Sequence, residues 1–352
     1  MKRTFLLAAM VAAVVCAGTD ASAQKKAKKS QLVLDGTVVN VNPLARTSPV
    51  EEKLKAKNTP GIEYAPTKTV YLYPKGQGVD QGIVENGVAV TQGPLVSNGL
   101  EGAEVAGGWG FVSNVTDSAR IDIFLPEKPN GQMVIACPGG GYSGLSTWNE
   151  GSYAAKWLND RGIACAVLKY RLPGGHREVP LQDVQNAFRY CRHHSEDWGI
   201  KQIGVMGFSA GGHLAATAST QYIDAETRPD FSILVYPVIS SEPGVGHEGS
   251  FNNLIGTEKG WYNRKGKDFE SWDTGKKKFE ALKERYSLDK QVSADTPKTF
   301  IIFSSNDYGV PPENEVRYFN ALVKNGVPCE MHAFPGGGLP QRQVLQRPYS
   351  GI

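Results

Sequence analysis

The chain has 352 residues, of which 40% are hydrophobic and 21% charged, an ordinary balance for one large globular domain plus an extension. A formal charge of +3 is too mild to argue for nucleic acid, and no basic patch is interleaved with aromatics. The high glycine content, 40 residues, means that a glycine-flanked motif carries weight only through the elements around it.

Met1, Lys2 and Arg3 open a charged start, and Phe5 to Ala17 is an apolar run too short to span a bilayer. Ala21, Ser22 and Ala23 supply a small-residue cleavage pattern, so residues 1–23 read as a signal peptide and export to a periplasm or beyond is expected. A lipoprotein anchored at Cys16 is the lesser alternative, because the bulky Val15 precedes it. Residues 24–68 read as an extension or linker. Val70 to Tyr73 and Ala119 to Leu125 alternate in polarity and predict antiparallel opening strands, with a glycine-rich, loop-dominated stretch from Gly76 to Gly110 between them.

From Met133 onward strands and helices alternate regularly. Strands are predicted at Met133–Ala136, Ala164–Tyr170, Ile203–Met206, Ser232–Tyr236 and Thr299–Phe303. Helices are predicted at Tyr153–Arg161, Gln182–Asp197, after the third of these strands from His213, and at Glu315–Lys324. The expected fold class is α/β, a mostly parallel central sheet with helices on both faces, with the active site at the carboxyl ends of its strands. The alternation breaks over 256–290, which reads as a lid insertion. Its Trp261 and Trp272 are of the type that stacks on sugar faces, or that simply anchors a helix. The four cysteines beyond Cys16 show no ligand spacing, so no metal and no cofactor is expected.

Three features carry chemistry. Gly207-Phe208-Ser209-Ala210-Gly211 lies between a strand and a helix, the setting of a nucleophile elbow, which makes Ser209 the candidate nucleophile. Cys137-Pro138-Gly139-Gly140-Gly141-Tyr142 directly follows a strand, where a loop can turn amides toward a developing oxyanion; Gly140 and Gly141 are the candidates, with Ala210 as the donor after the nucleophile. A flexible turn is the plainer reading of this loop, and a phosphate loop is disfavoured because no Gly-Lys-Ser/Thr follows. Asp307, at the polar end of a late strand, stands where a triad acid belongs, although a turn residue would look the same.

Together these features resemble the α/β-hydrolase superfamily, and more narrowly the carbohydrate esterases related to acetylxylan esterase. That group shows a Gly-Gly-Gly-Tyr loop, a Gly-x-Ser-Ala-Gly-Gly-His elbow and an Asp-x-x-Val-Pro turn in this order. Here they are Gly139 to Tyr142, Gly207 to His213 and Asp307 to Pro311, and Glu150-Gly151 and Tyr236 to Ile239 also fit. The likeness runs over roughly Thr69 to Gly338. It implies a serine carboxylesterase acting on acetylated oligo- or polysaccharide.

One position departs from the pattern. The family continues Phe-Pro-x-Gly-Gly-His-Gly, whereas this chain reads Phe334-Pro335-Gly336-Gly337-Gly338-Leu339-Pro340. Leucine can neither take the serine proton nor return it. None of the six histidines (His176, His193, His194, His213, His247 and His332) lies on a loop after the Asp307 strand and its helix. Residues 339–352 form an atypical tail without helical or strand period. A true loss of the base and a one-base frame slip near Gly338 both account for it. A glycan-binding relative without catalysis is the rival reading, and a peptidase of the same fold is disfavoured because it would carry a large further domain.

Overall fold

The computed structural model describes residues 30–34, 37–41, 64–74, 82–93, 97–117, 119–258 and 272–335. The expected signal peptide, Trp261 and Leu339 all lie outside these residues. The N-terminal extension contributes a hairpin of β1 (Ser30–Leu34) and β2 (Thr37–Val41).

The centre is an eight-stranded sheet. In chain order its strands are β3 (Lys68–Tyr71), β8 (Arg120–Phe124), β9 (Gln132–Cys137), β11 (Ala164–Lys169), β12 (Gln202–Phe208), β13 (Ser232–Val235), β14 (Thr299–Ser304) and β15 (Cys329–Phe334). Spatially they run β15-β14-β13-β12-β9-β11-β8-β3. From β15 to β11 all pairs are parallel, and β8 and β3 join antiparallel. This is the predicted mostly parallel sheet with antiparallel opening strands. The stretch expected to be loop-dominated does contain short pieces of structure, a β4–β5 hairpin (Val84–Glu85, Val88–Ala89) and β6 (Val105–Ala106), and β7 (Phe111–Ser113) follows directly after it. Two- and three-residue strands are too short for any periodicity to register. β7 lies between β6 and β10 (Gly144–Ser146) in a small second sheet.

Six α-helices occur among the described residues: α1 (Tyr153–Asn159), α2 (Glu178–His193), α3 (Ala210–Thr220), α4 (Glu248–Ile255), α5 (Trp272–Tyr286) and α6 (Glu313–Lys324). α2 starts four residues before its predicted start. Pro180 falls in its first turn, where the missing N–H would have had no helical acceptor anyway.

Alternation along the central strands shows why both faces are covered. On β9, Met133, Ile135 and Cys137 join the core beneath α2 and α3, whereas Val134 and Ala136 join the one beneath α1. On β11, Ala164, Ala166 and Leu168 face the first core, and Cys165 and Val167 the second. Fully buried branched side chains such as Ile135 each contribute about 1.5–3 kcal/mol relative to exposure. Strands buried on both faces read as continuous apolar runs, as Met133 to Ala136 does. The architecture is that of an α/β-hydrolase.

Candidate active site

The parallel strands end along one edge of the sheet, and the loops that carry the three sequence features leave from that edge. β12 runs straight into Ser209, which adopts φ 51° and ψ −120° before α3 begins at Ala210. A non-glycine residue in this region is strained by roughly 1–3 kcal/mol, so the surroundings must hold it there. They do so through the backbone. Ser209 N–H donates to the Val235 carbonyl at 3.1 Å, and the Ser209 carbonyl accepts from Val238 N–H at 3.0 Å and His213 N–H at 3.1 Å. The flanking glycines are a packing requirement. A Cβ on Gly207 would lie 2.1 Å from the Gly211 carbonyl oxygen, and one on Gly211 would lie 2.1 Å from the Cys137 carbonyl oxygen.

That second contact shows how closely the loop after β9 abuts the elbow. A Cβ on Gly139 would come within 3.0 Å of the Ser209 Cβ. Gly140 (φ 141°), Gly141 (φ 64°) and Tyr142 (φ 58°) then turn the chain back into β10. The loop's carbonyls are engaged: Gly139 O accepts from Ser146 N–H, Gly140 O from Ser143 and Gly144 N–H, and Gly141 O from Asn253 Nδ2 at 2.8 Å. Ala210, as the first residue of α3, has an N–H with no acceptor inside its own helix.

Asp307 follows β14, two strands away from the elbow strand, and is buried. Its Oδ1 accepts from Gly309 N–H at 2.8 Å and Val310 N–H at 3.0 Å, so the turn that the sequence left open as an alternative is present too. Close by, Glu315 on α6 is fully buried, and neither carboxyl oxygen has a hydrogen-bond partner among the described residues. Burial first, then the Asp307 charge, holds its carboxyl well above the usual carboxylate range. The structure thus gathers Ser209, the Gly140–Gly141 loop, Ala210 and Asp307 at one end of the sheet.

Several residues at this end had no role in the sequence reading. Glu150, in a π-helical turn (Trp148–Ser152), accepts from Gly139 N–H through Oε2 at 2.5 Å and from Tyr236 Oη through Oε1 at 3.1 Å. Tyr236 is itself at φ 38°, and its hydroxyl is pushed up by burial and then by the Glu150 charge. Tyr170 Oη donates to the Pro138 carbonyl at 2.8 Å. Only the Glu150-Gly151 and Tyr236–Ile239 likenesses pointed here, and neither carried a role.

The histidines divide clearly. His213 is buried with Nε2 2.9 Å from the Tyr286 carbonyl and Nδ1 3.0 Å from Tyr142 Oη. A carbonyl only accepts, so the ring proton sits on Nε2 and Nδ1 accepts from the tyrosine. Burial lowers its pKa to about 4, which keeps it neutral. His247 caps α4, its Nδ1 accepting from Ser250 N–H at 3.1 Å, and its ring borders the space beside Gly141. His332 lies within β15 and pairs with Glu330 at 2.5 Å. His193 and His194 close α2, and His176 is exposed in the loop before it. The chain enters β15 beside β14 and reaches Pro335, after which the described residues end.

The BD-FAE family model matches residues 121–322, more than half of the chain. The chain belongs to the BD-FAE family. Its relatives include an acetylxylan esterase of Xylanibacter ruminicola, 39% identical over 64% of this chain and 45% of that protein. Endo-1,4-beta-xylanase B of Butyrivibrio fibrisolvens is 30% identical over 65% of this chain and 34% of its own length. The chain therefore spans less than half the length of either relative. Among solved structures, the acetyl ester-xyloside bifunctional hydrolase from Caldicellulosiruptor lactoaceticus superposes with a TM-score of 0.55 at 29% identity, covering 80% of this chain and 94% of that one. The carboxylesterase Cest-2923 from Lactobacillus plantarum, with a TM-score of 0.50 and 19% identity, shares the fold.

Proposed function

We propose that this BD-FAE member is built as an exported serine carboxylesterase that removes acetyl groups from plant polysaccharide, crippled in this chain by the absence of the triad histidine. The strained backbone of Ser209, held by three backbone hydrogen bonds and packed beside the glycine loop, is the observation that carries the reading. Ser209 Oγ would attack the ester carbonyl carbon. The amides of Gly140, Gly141 and Ala210 would hold the resulting oxyanion, each donor being worth about 3–4 kcal/mol in comparable sites. Collapse would release the sugar hydroxyl and leave an acetyl-enzyme, which water then cleaves to acetate and free serine. Asp307 would orient the base that shuttles the proton. The acetylxylan esterase and xylanase names of the relatives support xylan as the substrate class. Residues 1–23, outside the described residues, support export.

The base is the weak point. Leu339 stands where the family pattern has histidine, and each of the six histidines has another setting. His213 is neutral with both nitrogens engaged, and His247 uses Nδ1 as a helix cap. This favours a second reading, a glycan-binding pseudo-hydrolase in which the cleft survives without turnover. The two separate on acetylated xylo-oligosaccharide. Acetate release by the chain carrying Leu339→His and Pro340→Gly, together with its absence when Ser209→Ala is added, supports the esterase. Oligosaccharide binding with no acetate from either chain supports the binding protein instead.

A further inference from the structure

The C-terminal end of α2 carries a group of side chains that the esterase chemistry does not use. His193 is the last residue of α2 and His194 is its C-cap. Glu85 approaches them from β4, one residue before the Asn86–Gly87 turn of the β4–β5 hairpin. Asn86 (φ 51°) and Gly87 (φ 79°) make this a tight turn of the type that fixes hairpin register, so Glu85 is held in place rather than dangling.

The segment just after the hairpin is fastened to α2. Gln92 N–H donates to Asn186 Oδ1 at 3.0 Å, and Asn186 Nδ2 returns a bond to the Gln92 carbonyl at 2.8 Å. His194 is wedged against Trp198, stacked at 5.2 Å, and against Tyr190 at 4.5 Å. The rings of His193 and His194 stand at 89° to each other, 5.0 Å apart. Packing therefore presets His194, the turn fixes the backbone position of Glu85, and His193 is the most exposed of the three.

One ligand atom from each of Glu85, His193 and His194 falls within a span of 4.8 Å. Glu85 Oε2 is 3.0 Å from His194 Nε2 and 3.6 Å from His193 Nε2. In a tetrahedral site with bonds of 2.0–2.1 Å, neighbouring ligand atoms lie about 3.3 Å apart, between these two values, while the third pair, the two histidine nitrogens, lies within 4.8 Å. His194 Nε2 is buried and, although the carboxylate is close, makes no aligned hydrogen bond among the described residues. A nitrogen directed past the nearby oxygen suits two ligands that converge on a third body. Two imidazoles and one carboxylate match borderline divalent ions such as Zn2+, and not the all-oxygen preference of Ca2+ or Mg2+.

We propose that Glu85, His193 and His194 bind a divalent transition-metal ion, with a solvent molecule as fourth ligand, and that the ion braces the β4–β5 hairpin against the end of α2. The site is structural, and the proposal stands whichever reading of the Ser209 site holds.

The test uses the full chain without a histidine tag, treated with chelator and titrated calorimetrically with ZnCl2. One site with a Kd of about micromolar order is expected, with an upward shift in Tm that EDTA reverses. Glu85→Gln, which keeps the side-chain shape, should weaken binding by about tenfold or more and remove the Tm shift, as should His193→Asn. His332→Asn alters the other histidine that pairs closely with a carboxylate and should leave binding unchanged. Absence of binding at 100 μM ZnCl2, equal affinity in Glu85→Gln and His193→Asn, or loss of binding in His332→Asn would each overturn the assignment.

Discussion

Acidification should destabilise this protein through His213, by an amount that the structure sets. The imidazole is wholly buried between Tyr142 Oη and the Tyr286 carbonyl, and burial brings its pKa from the ordinary 6.5 to about 4. The folded value lies below the unfolded one, so the unfolded chain takes up the proton first. The stability contributed by the neutral ring is complete above pH 6.5 and is lost as the pH falls toward 4. Two and a half pH units at about 1.4 kcal/mol each amount to about 3 kcal/mol. His213→Asn removes the titration and leaves the buried Tyr142 hydroxyl poorly partnered, which costs about 1–3 kcal/mol at pH 7. The wild type should therefore be the more stable chain at pH 7, the gap should close as the pH falls through 5, and the order should reverse near pH 4. Urea unfolding of both chains at pH 7, 6, 5 and 4, followed by tryptophan fluorescence, measures the gap directly. Titrating carboxylates act on both chains alike and cancel in the difference. A gap that stays constant over this range would refute the assignment of His213 as a buried neutral tether of the loop.

Three further outcomes are expected. Gly211→Ala should destabilise the chain by about 3 kcal/mol or more in chemical unfolding, because its Cβ would meet the Cys137 carbonyl oxygen at 2.1 Å and neither backbone can yield cheaply. Glu315→Gln should match the wild type in the acid range and become relatively more stable as the pH rises to 8. The raised carboxyl pKa of Glu315 contributes stability below the ordinary carboxylate range that is lost toward its folded value, and thermal unfolding across pH reads the divergence. Asp307→Asn should keep Tm within a few degrees, since an amide oxygen still accepts from Gly309 and Val310 N–H. In a chain carrying Leu339→His and Pro340→Gly, the same change should lower the esterase rate by about 10⁴-fold, as loss of the triad carboxylate does elsewhere.

Much of the scaffold is legible in the sequence because strands buried on both faces leave unbroken apolar runs. Met133–Ala136 and Ile203–Met206 both fall inside observed strands, and the regular strand–helix spacing gives the parallel order. Ser209 is legible because its glycines answer a packing demand that few other residues can meet. Glu150 and Tyr236 were given no role because their contacts, with Gly139 and with each other, join positions far apart in sequence. No local pattern reports a pairing made only when the loops of different strands meet. The small sheet of β6, β7 and β10 escaped for a different reason: each strand has only two or three residues, fewer than the four or more over which alternation can be read. At Asp307 the sequence offers a turn residue or a catalytic acid as alternatives, and the geometry shows the turn.

The central claim is a hydrolase site built around Ser209 that is complete except for its base. It is tested most directly by p-nitrophenyl acetate hydrolysis, measured on the chain as it stands, on Ser209→Ala, and on the chain carrying Leu339→His and Pro340→Gly. The account predicts background rates for the first two and a large rise, dependent on Ser209, for the third. Turnover by the unaltered chain that disappears with Ser209→Ala would contradict it, because another group would then be acting as the base.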